Sequence, residues 1–209
     1  CLRLSGIDWR TYSRLLKAFA ERPGIRLVYD RGELEIMTPL LEHDDDSRFL
    51  GDLVFVLTEE YGLPLKRGGS TTLRRRLRRR GIEADECFWI ANAHRMAGRR
   101  RLDLRTDPPP DLAIEVDVTH STLDRLAIYA ALGVPEIWRL AGDTLTFHVL
   151  TEEGAYQAVP ASRSFPQVTS RDLLNVLLQA RQAGDENQVI QQFRAGVRQR
   201  RPGGSPSSS

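Results

Sequence analysis

PPPDLAIEVDV, Pro108 to Val118, sets three carboxylates in or beside a run of apolar residues. The apolar letters predict a β-strand, and side chains alternate across a strand with a period of two. Asp111, Ala113, Glu115 and Asp117 therefore share one face, while Leu112, Ile114, Val116 and Val118 share the other. Like charges ~7 Å apart along one face repel one another, so aligned acids call for water, basic partners or a cation to neutralise them. Which of these applies decides what the protein does.

Working outward, STLDRLAIYAALG after the strand predicts a helix with Leu123, Leu126, Ala127 and Ala130 as its buried stripe, capped by Ser121 or Thr122 and ended by Gly133. VPEIWRL and TLTFHVL around AGD predict a hairpin, AYQAVPAS a further strand, and Ser170 to Arg198 one or two helices. On the N-terminal side, Asp8 caps a helix whose Trp9, Tyr12, Leu15, Leu16 and Phe19 recur at helical spacing. IRLVYD and ELEIMT alternate as a hairpin around Asp30-Arg31-Gly32. EHDDDSRFLGDLVFVLTEEYG reads as a helix closed by Gly62, and IEADECFWIAN as one strand carrying Asp85, Cys87 and Trp89 on a single face. GGSTTLRRRLRRRG is either a solvated edge strand or loop, or a phosphate-facing patch. Helices alternating with strands predict an α/β or α+β domain over residues 1–198, a mixed central sheet flanked by helices, with 199–209 a disordered tail.

Composition narrows the class. Of the basic residues only Lys17 and Lys66 are lysines; arginine richness suits phosphate binding, yet a net charge of +2 does not demand a nucleic-acid partner. Two cysteines, Cys1 and Cys87, are too few for a disulfide framework and lack zinc-ligand spacing, which points to a reducing cytoplasm. No apolar run approaches the ~20 residues of a membrane helix.

Asp85 and Glu115 each interrupt a strand pattern that otherwise favours burial. If their strands pair, the two carboxylates meet across a few ångströms, because directly opposed residues have Cβ atoms ~5 Å apart. Such a pair suits Mg²⁺ or Mn²⁺, which take oxygen ligands and fill their remaining positions with water and substrate phosphate. His43, between Glu42 and Asp44, and Asp111 are candidate further ligands. Arg125 follows closely enough to point back at the cluster and to stabilise charge on a phosphodiester. Against this, Asp111 can simply cap a turn after the prolines, Asp117 can pair with an arginine, and His43 can begin a helix without any ligand role.

GIRLVYDRGELEIMTPLLEH, GGSTT, GIEADECFWI and, most specifically, PPPDLAIEVDVTHSTLDRLAIYAALGVPEIWRL resemble the Uma2-like (DUF820) family of restriction-endonuclease-like proteins with the PD-(D/E)XK nuclease fold. The resemblance implies a mixed sheet between helices and a metal-binding aspartate, a glutamate and a nearby lysine. Asp85 matches the aspartate, with Ala84 where proline often precedes it, and Glu115 matches the acidic member of the (D/E)XK element. Asp117 stands where the motif has lysine; family members often carry that lysine on the following helix, at the position of Arg125 here. His43 and Asp111 match a histidine at the start of the first core helix and the aspartate of the PDLAIEV segment.

Two functions follow. One is a Mg²⁺- or Mn²⁺-dependent endonuclease acting on DNA, with Asp85 and Glu115 as metal ligands, Asp111 and His43 in support, and Arg125 on the phosphate. In it Lys66, Arg74, Arg75, Arg76 and Arg78 hold the nucleic-acid backbone, and a homodimer cuts both strands. The other is a binding or interaction module that keeps the fold without cleavage, since arginine is hard to deprotonate and cannot readily act as a general base.

Overall fold

The segment IEADECFWIAN, expected as one strand, is two strands that belong to different sheets, and the break falls at Ala84-Asp85. The computed structural model describes residues 1–200 apart from 21, 23, 39, 40 and 118–120, and for 41–44 it describes the backbone alone. The first half runs β1 (Leu2–Leu4), α1 (Trp9–Phe19), β2 (Arg26–Asp30), β3 (Glu33–Met37), α2 (Leu41–Tyr61), β4 (Lys66–Arg67), β5 (Thr72–Arg75), β6 (Arg80–Glu83) and β7 (Glu86–Trp89). The second half runs β8 (Leu112–Val116), α3 (Arg125–Leu132), β9 (Glu136–Ala141), β10 (Thr144–Leu150), β11 (Tyr156–Val159), α4 (Ser170–Gln182) and α5 (Glu186–Gln199).

The strands form two sheets. An antiparallel sheet has the order β1-β3-β2-β6-β5, and a mixed sheet has the order β11-β10-β9-β8-β7-β4. In the mixed sheet β8 and β9 are parallel, as the α3 crossover between them requires, and the other pairs are antiparallel. The architecture is mixed α+β, with five α-helices among the described residues. It refines the expected single central sheet into a mixed sheet and an antiparallel companion.

Apolar periodicity explains the layers. Tyr12, Leu27, Tyr29 and Leu34 bury α1 against one face of the antiparallel sheet, with Trp9, Leu15, Leu16 and Phe19 packed around them. Val28 and Met37 point from the other face of that sheet toward Ala113, Cys87 and the α3 residues Ile128 and Tyr129. Leu112, Ile114 and Val116 project from the opposite side of β8 into a third cluster shared with α2, α4 and α5. The alternation of PDLAIEV thus separates two cores, and Glu115 falls on the side facing the antiparallel sheet.

Asp8 caps α1 as expected, its carboxylate accepting from the Thr11 amide at 2.7 Å. For α3 the expectation is corrected: Asp124, not Ser121 or Thr122, is the cap and accepts from the Ala127 amide at 3.0 Å. Ser121 and Thr122 are instead committed to the Glu35 carboxylate, which a local sequence pattern cannot reveal. Gly133 ends α3 with φ +79°, the left-handed conformation that glycine adopts without steric cost. The C-terminal segment resolves into α4 and α5; α5 includes Gln199, and residues 201–209 of the expected tail lie outside the described residues.

Candidate active site

Asp85 sits at the end of the β7–β8 pairing, hydrogen-bonded to the strand that carries Glu115. The β7–β8 register sets Glu86 opposite Ile114, the last paired step before Asp85 and Glu115. Backbone pairing of β7 stops at Glu86, and beyond it the Asp85 carboxylate itself accepts from the Val116 amide at 2.7 Å. Asp85 is 7% exposed and Glu115 1%.

Each acid is ion-paired to an arginine from a different element: Asp85 to Arg26 of β2, and Glu115 to Arg125 of α3. The second Glu115 oxygen accepts from the Tyr129 hydroxyl at 2.6 Å. Tyr129 lies one helical turn after Arg125, so both reach the same carboxylate. Arg125 also directs a guanidinium nitrogen to Met37 Sδ at 3.0 Å. Burial pushes the Arg125 pKa down; Tyr129 and Glu35 oppose that shift, and the positive charges of Arg26 and Arg139 reinforce it.

Glu35 of β3 holds the segment that delivers Arg125. It is fully buried and accepts from the Ser121 hydroxyl, the Thr122 amide and hydroxyl, and the Leu123 amide, at 2.7–3.1 Å. Burial alone would raise this carboxyl, but these donors together hold it below the usual range. Arg26, Glu35 and Tyr129 were absent from the sequence-derived site. The signal available was a charged residue at the start of one apolar strand and another in the middle of the next, IRLVYD and ELEIM, where burial demands a partner.

The other acids of the PDLAIEVDV strand serve different ends. Asp111 accepts from the Ile90 and Asn92 amides at 2.7 and 2.9 Å and from the Asn92 side chain at 2.7 Å, fixing the turn after β7. It lies four residues from Glu115, ~13 Å along a strand, and is not brought to the Asp85–Glu115 pair. Asp117 makes a two-pronged ion pair with Arg139 of β9 at 2.7–3.1 Å. The side chain of His43 lies outside the described residues, so its expected ligand role has no geometry here.

Asp85 and Arg26 line a cleft of about 1070 Å³. Lys17, Arg22, Arg48, Arg74, Arg100 and Arg101 also line it, against Glu83 and Glu86 as the remaining acids among the described residues. Burial raises the Glu86 pKa despite the opposing charge of Arg67. Of the residues expected to hold a nucleic-acid backbone, Arg74 is in this cleft. Arg75 is the last residue of the edge strand β5, Arg76 and Arg78 form an exposed 3₁₀ turn, and Lys66 is exposed opposite Trp89, away from Asp85. Glu115 and Arg125 border a separate pocket of about 130 Å³ with Asp117, Ser121, Asp124 and Arg139.

Asp85 and Glu115, each ion-paired to an arginine in this structure, offer the oxygen donors that a hard divalent cation takes, with water and phosphate completing its coordination. No cluster of three or more metal-ligating side chains occurs among the described residues. The fold is thus mixed α+β, with Asp85 on a basic cleft and Glu115 on the smaller pocket. The family model Uma2, described as "Putative restriction endonuclease", matches residues 9–183, and the chain belongs to that family. The fold is similar to that of a "putative nuclease belonging to DUF820" from Anabaena variabilis ATCC 29413, with a TM-score of 0.52 and 16% identity over 78% of this chain and 98% of that one. No curated protein matches the chain.

Proposed function

We propose that the chain is a divalent-cation-dependent endonuclease that hydrolyses DNA phosphodiester bonds. The observation that carries this reading is Asp85, hydrogen-bonded to the Val116 amide next to Glu115 and lining a cleft rich in arginine. Asp85 and Glu115 would hold Mg²⁺ or Mn²⁺. When bound, the cation supplies activation of water at neutral pH and neutralisation of charge on the phosphodiester.

The remaining chemistry belongs to the chain. Hydrolysis forms one P–O bond from water and breaks one P–O ester bond, and negative charge grows on the phosphoryl oxygens. Arg125 is the cation beside Glu115 that can meet this charge, while Tyr129 fixes the orientation of Glu115. Cations along the cleft hold the sugar-phosphate backbone without reading bases.

Conversion of supercoiled plasmid to the nicked form tests this. Cleavage is expected with Mn²⁺ or Mg²⁺, absent with chelator, and lost in both Asp85→Ala and Glu115→Ala while the variants remain folded. Arg125→Met is expected to slow the reaction by about 10²- to 10³-fold, the usual effect of removing one group that stabilises a developing anion. Cleavage that is unaffected by both carboxylate substitutions overturns the assignment.

A second reading, a nucleic-acid-binding module without catalysis, is favoured by the occupancy of both acids by arginines and by arginine in place of lysine at position 125. Retention of DNA with no metal-dependent cleavage under any of these conditions would establish it.

A further inference from the structure

Asp85 and Glu115 are neutralised from two sides and by different means. Glu115 is held by Arg125 and Tyr129, both on the helix that follows its own strand, and it borders the small pocket. Asp85 takes the Val116 amide on one oxygen and Arg26 on the other; Arg26 is the cation paired with it among the described residues. Arg26 reaches it from the other sheet, 9% exposed, and both residues line the large cleft. A guanidinium offers a phosphate the same planar fork of donors that it offers a carboxylate, so the two anions compete for it. The cations around the cleft concentrate phosphate where that competition occurs.

While Arg26 neutralises Asp85, a divalent cation meets one acid fewer and one positive charge more. We infer that Arg26 is a positioning residue that couples nucleic-acid binding to cation binding: it pairs with Asp85 when the cleft is empty, and a backbone phosphate entering the cleft takes its guanidinium and leaves the Asp85 carboxylate to the cation. The inference rests on the reading of Asp85 and Glu115 as cation ligands. It frees the Asp85 side of the cation site only where substrate is present, and by linkage phosphate and cation strengthen each other's binding.

The test is calorimetric titration of Mn²⁺ into the full chain, with and without a short DNA duplex carrying hydrolysis-resistant phosphorothioate linkages. The wild type is expected to bind Mn²⁺ weakly alone and at least about tenfold more tightly with the duplex, the lower end of the effect one adjacent cation has on a carboxylate's proton affinity. Arg26→Gln, which keeps a hydrogen-bond donor beside Asp85 and removes the charge, is expected to bind Mn²⁺ alone at least about tenfold more tightly than wild type, with little further gain from the duplex. Arg26→Lys, which keeps the charge, is expected to follow the wild type. An Arg26→Gln variant whose Mn²⁺ affinity equals or falls below that of wild type overturns the coupling and leaves the acid pair standing. Mn²⁺ binding that is unchanged in Asp85→Asn overturns the acid pair as ligands, and the coupling with it. Should Arg26→Gln fail to fold, the Arg26 side-chain Nε–H resonance of the wild type, assigned by its loss in Arg26→Lys, is expected to move when duplex is added in Mg²⁺; a resonance that stays in place overturns the coupling.

Discussion

The Glu35 carboxylate is buried between two segments more than eighty residues apart in sequence and accepts from both backbone and side-chain donors of the later one. Its folded pKa lies below the unfolded value of about 4.3, so the ionised form favours the native state. That stability is fully present above the unfolded value and is lost as pH falls through the lower folded value. Glu35→Gln is therefore expected to lower stability at neutral pH and to flatten the decline on acidification, as read from urea midpoints measured between pH 3 and pH 7. Asp117 carries the opposite lesson. Read in its own strand it was a third acid on the ligand face, yet Arg139 of the neighbouring parallel strand takes both of its oxygens, because the β8–β9 register sets Glu115 beside Arg139 and leaves Asp117 one pleat beyond.

Helix α3 supplies both side chains, Arg125 and Tyr129, that hold Glu115. It is only eight residues long, too short to be stable by itself, so its position depends on its cap and on the burial of Ile128, Tyr129 and Leu132. Asp124→Ala removes the acceptor for the Ala127 amide and is expected to cost about 1 kcal/mol of folding free energy, measured by denaturant unfolding. The cap lies next to Arg125, so a fall in plasmid-nicking rate greater than the loss of folded protein is expected as well. The strand pattern of β8 was readable from period two alone, with Leu112, Ile114 and Val116 on one side and Ala113 and Glu115 on the other. The division of IEADECFWIAN was not, because β6 pairs with β2 and β5 while β7 pairs with β4 and β8, and those partners are distant in sequence.

Across the whole molecule, the basic cleft draws on α1, α2, β5 and the loop that carries Arg100 and Arg101. A near-neutral total charge conceals it, since many arginines elsewhere are paired with acids, as Arg194 and Arg198 are with Glu60 and Arg181 is with Asp46 and Asp143. If the cleft holds DNA by its phosphates, Arg100→Ala combined with Arg101→Ala should weaken binding about equally for unrelated sequences. The slope of log affinity against log salt should fall by about 2, nearly one per phosphate contact removed; fluorescence anisotropy over a salt series measures both. No described helix is long and apolar enough to cross a membrane, in line with the absence of any such run in the sequence.

Taken alone, the sequence determined most of the helices and hairpins and the alternation of Leu112, Ile114 and Val116 against Ala113 and Glu115, because periodicity acts over a few residues. It also carried the family resemblance through YAALGVPEIWR and the acids at 85 and 115. Tertiary structure decided the electrostatic partners: Arg26 for Asp85, Arg125 and Tyr129 for Glu115, Arg139 for Asp117, and a turn for Asp111. A buried charge takes its partner from whatever strand or helix packs against it, and that neighbour is set by sheet order and register, which no single segment encodes.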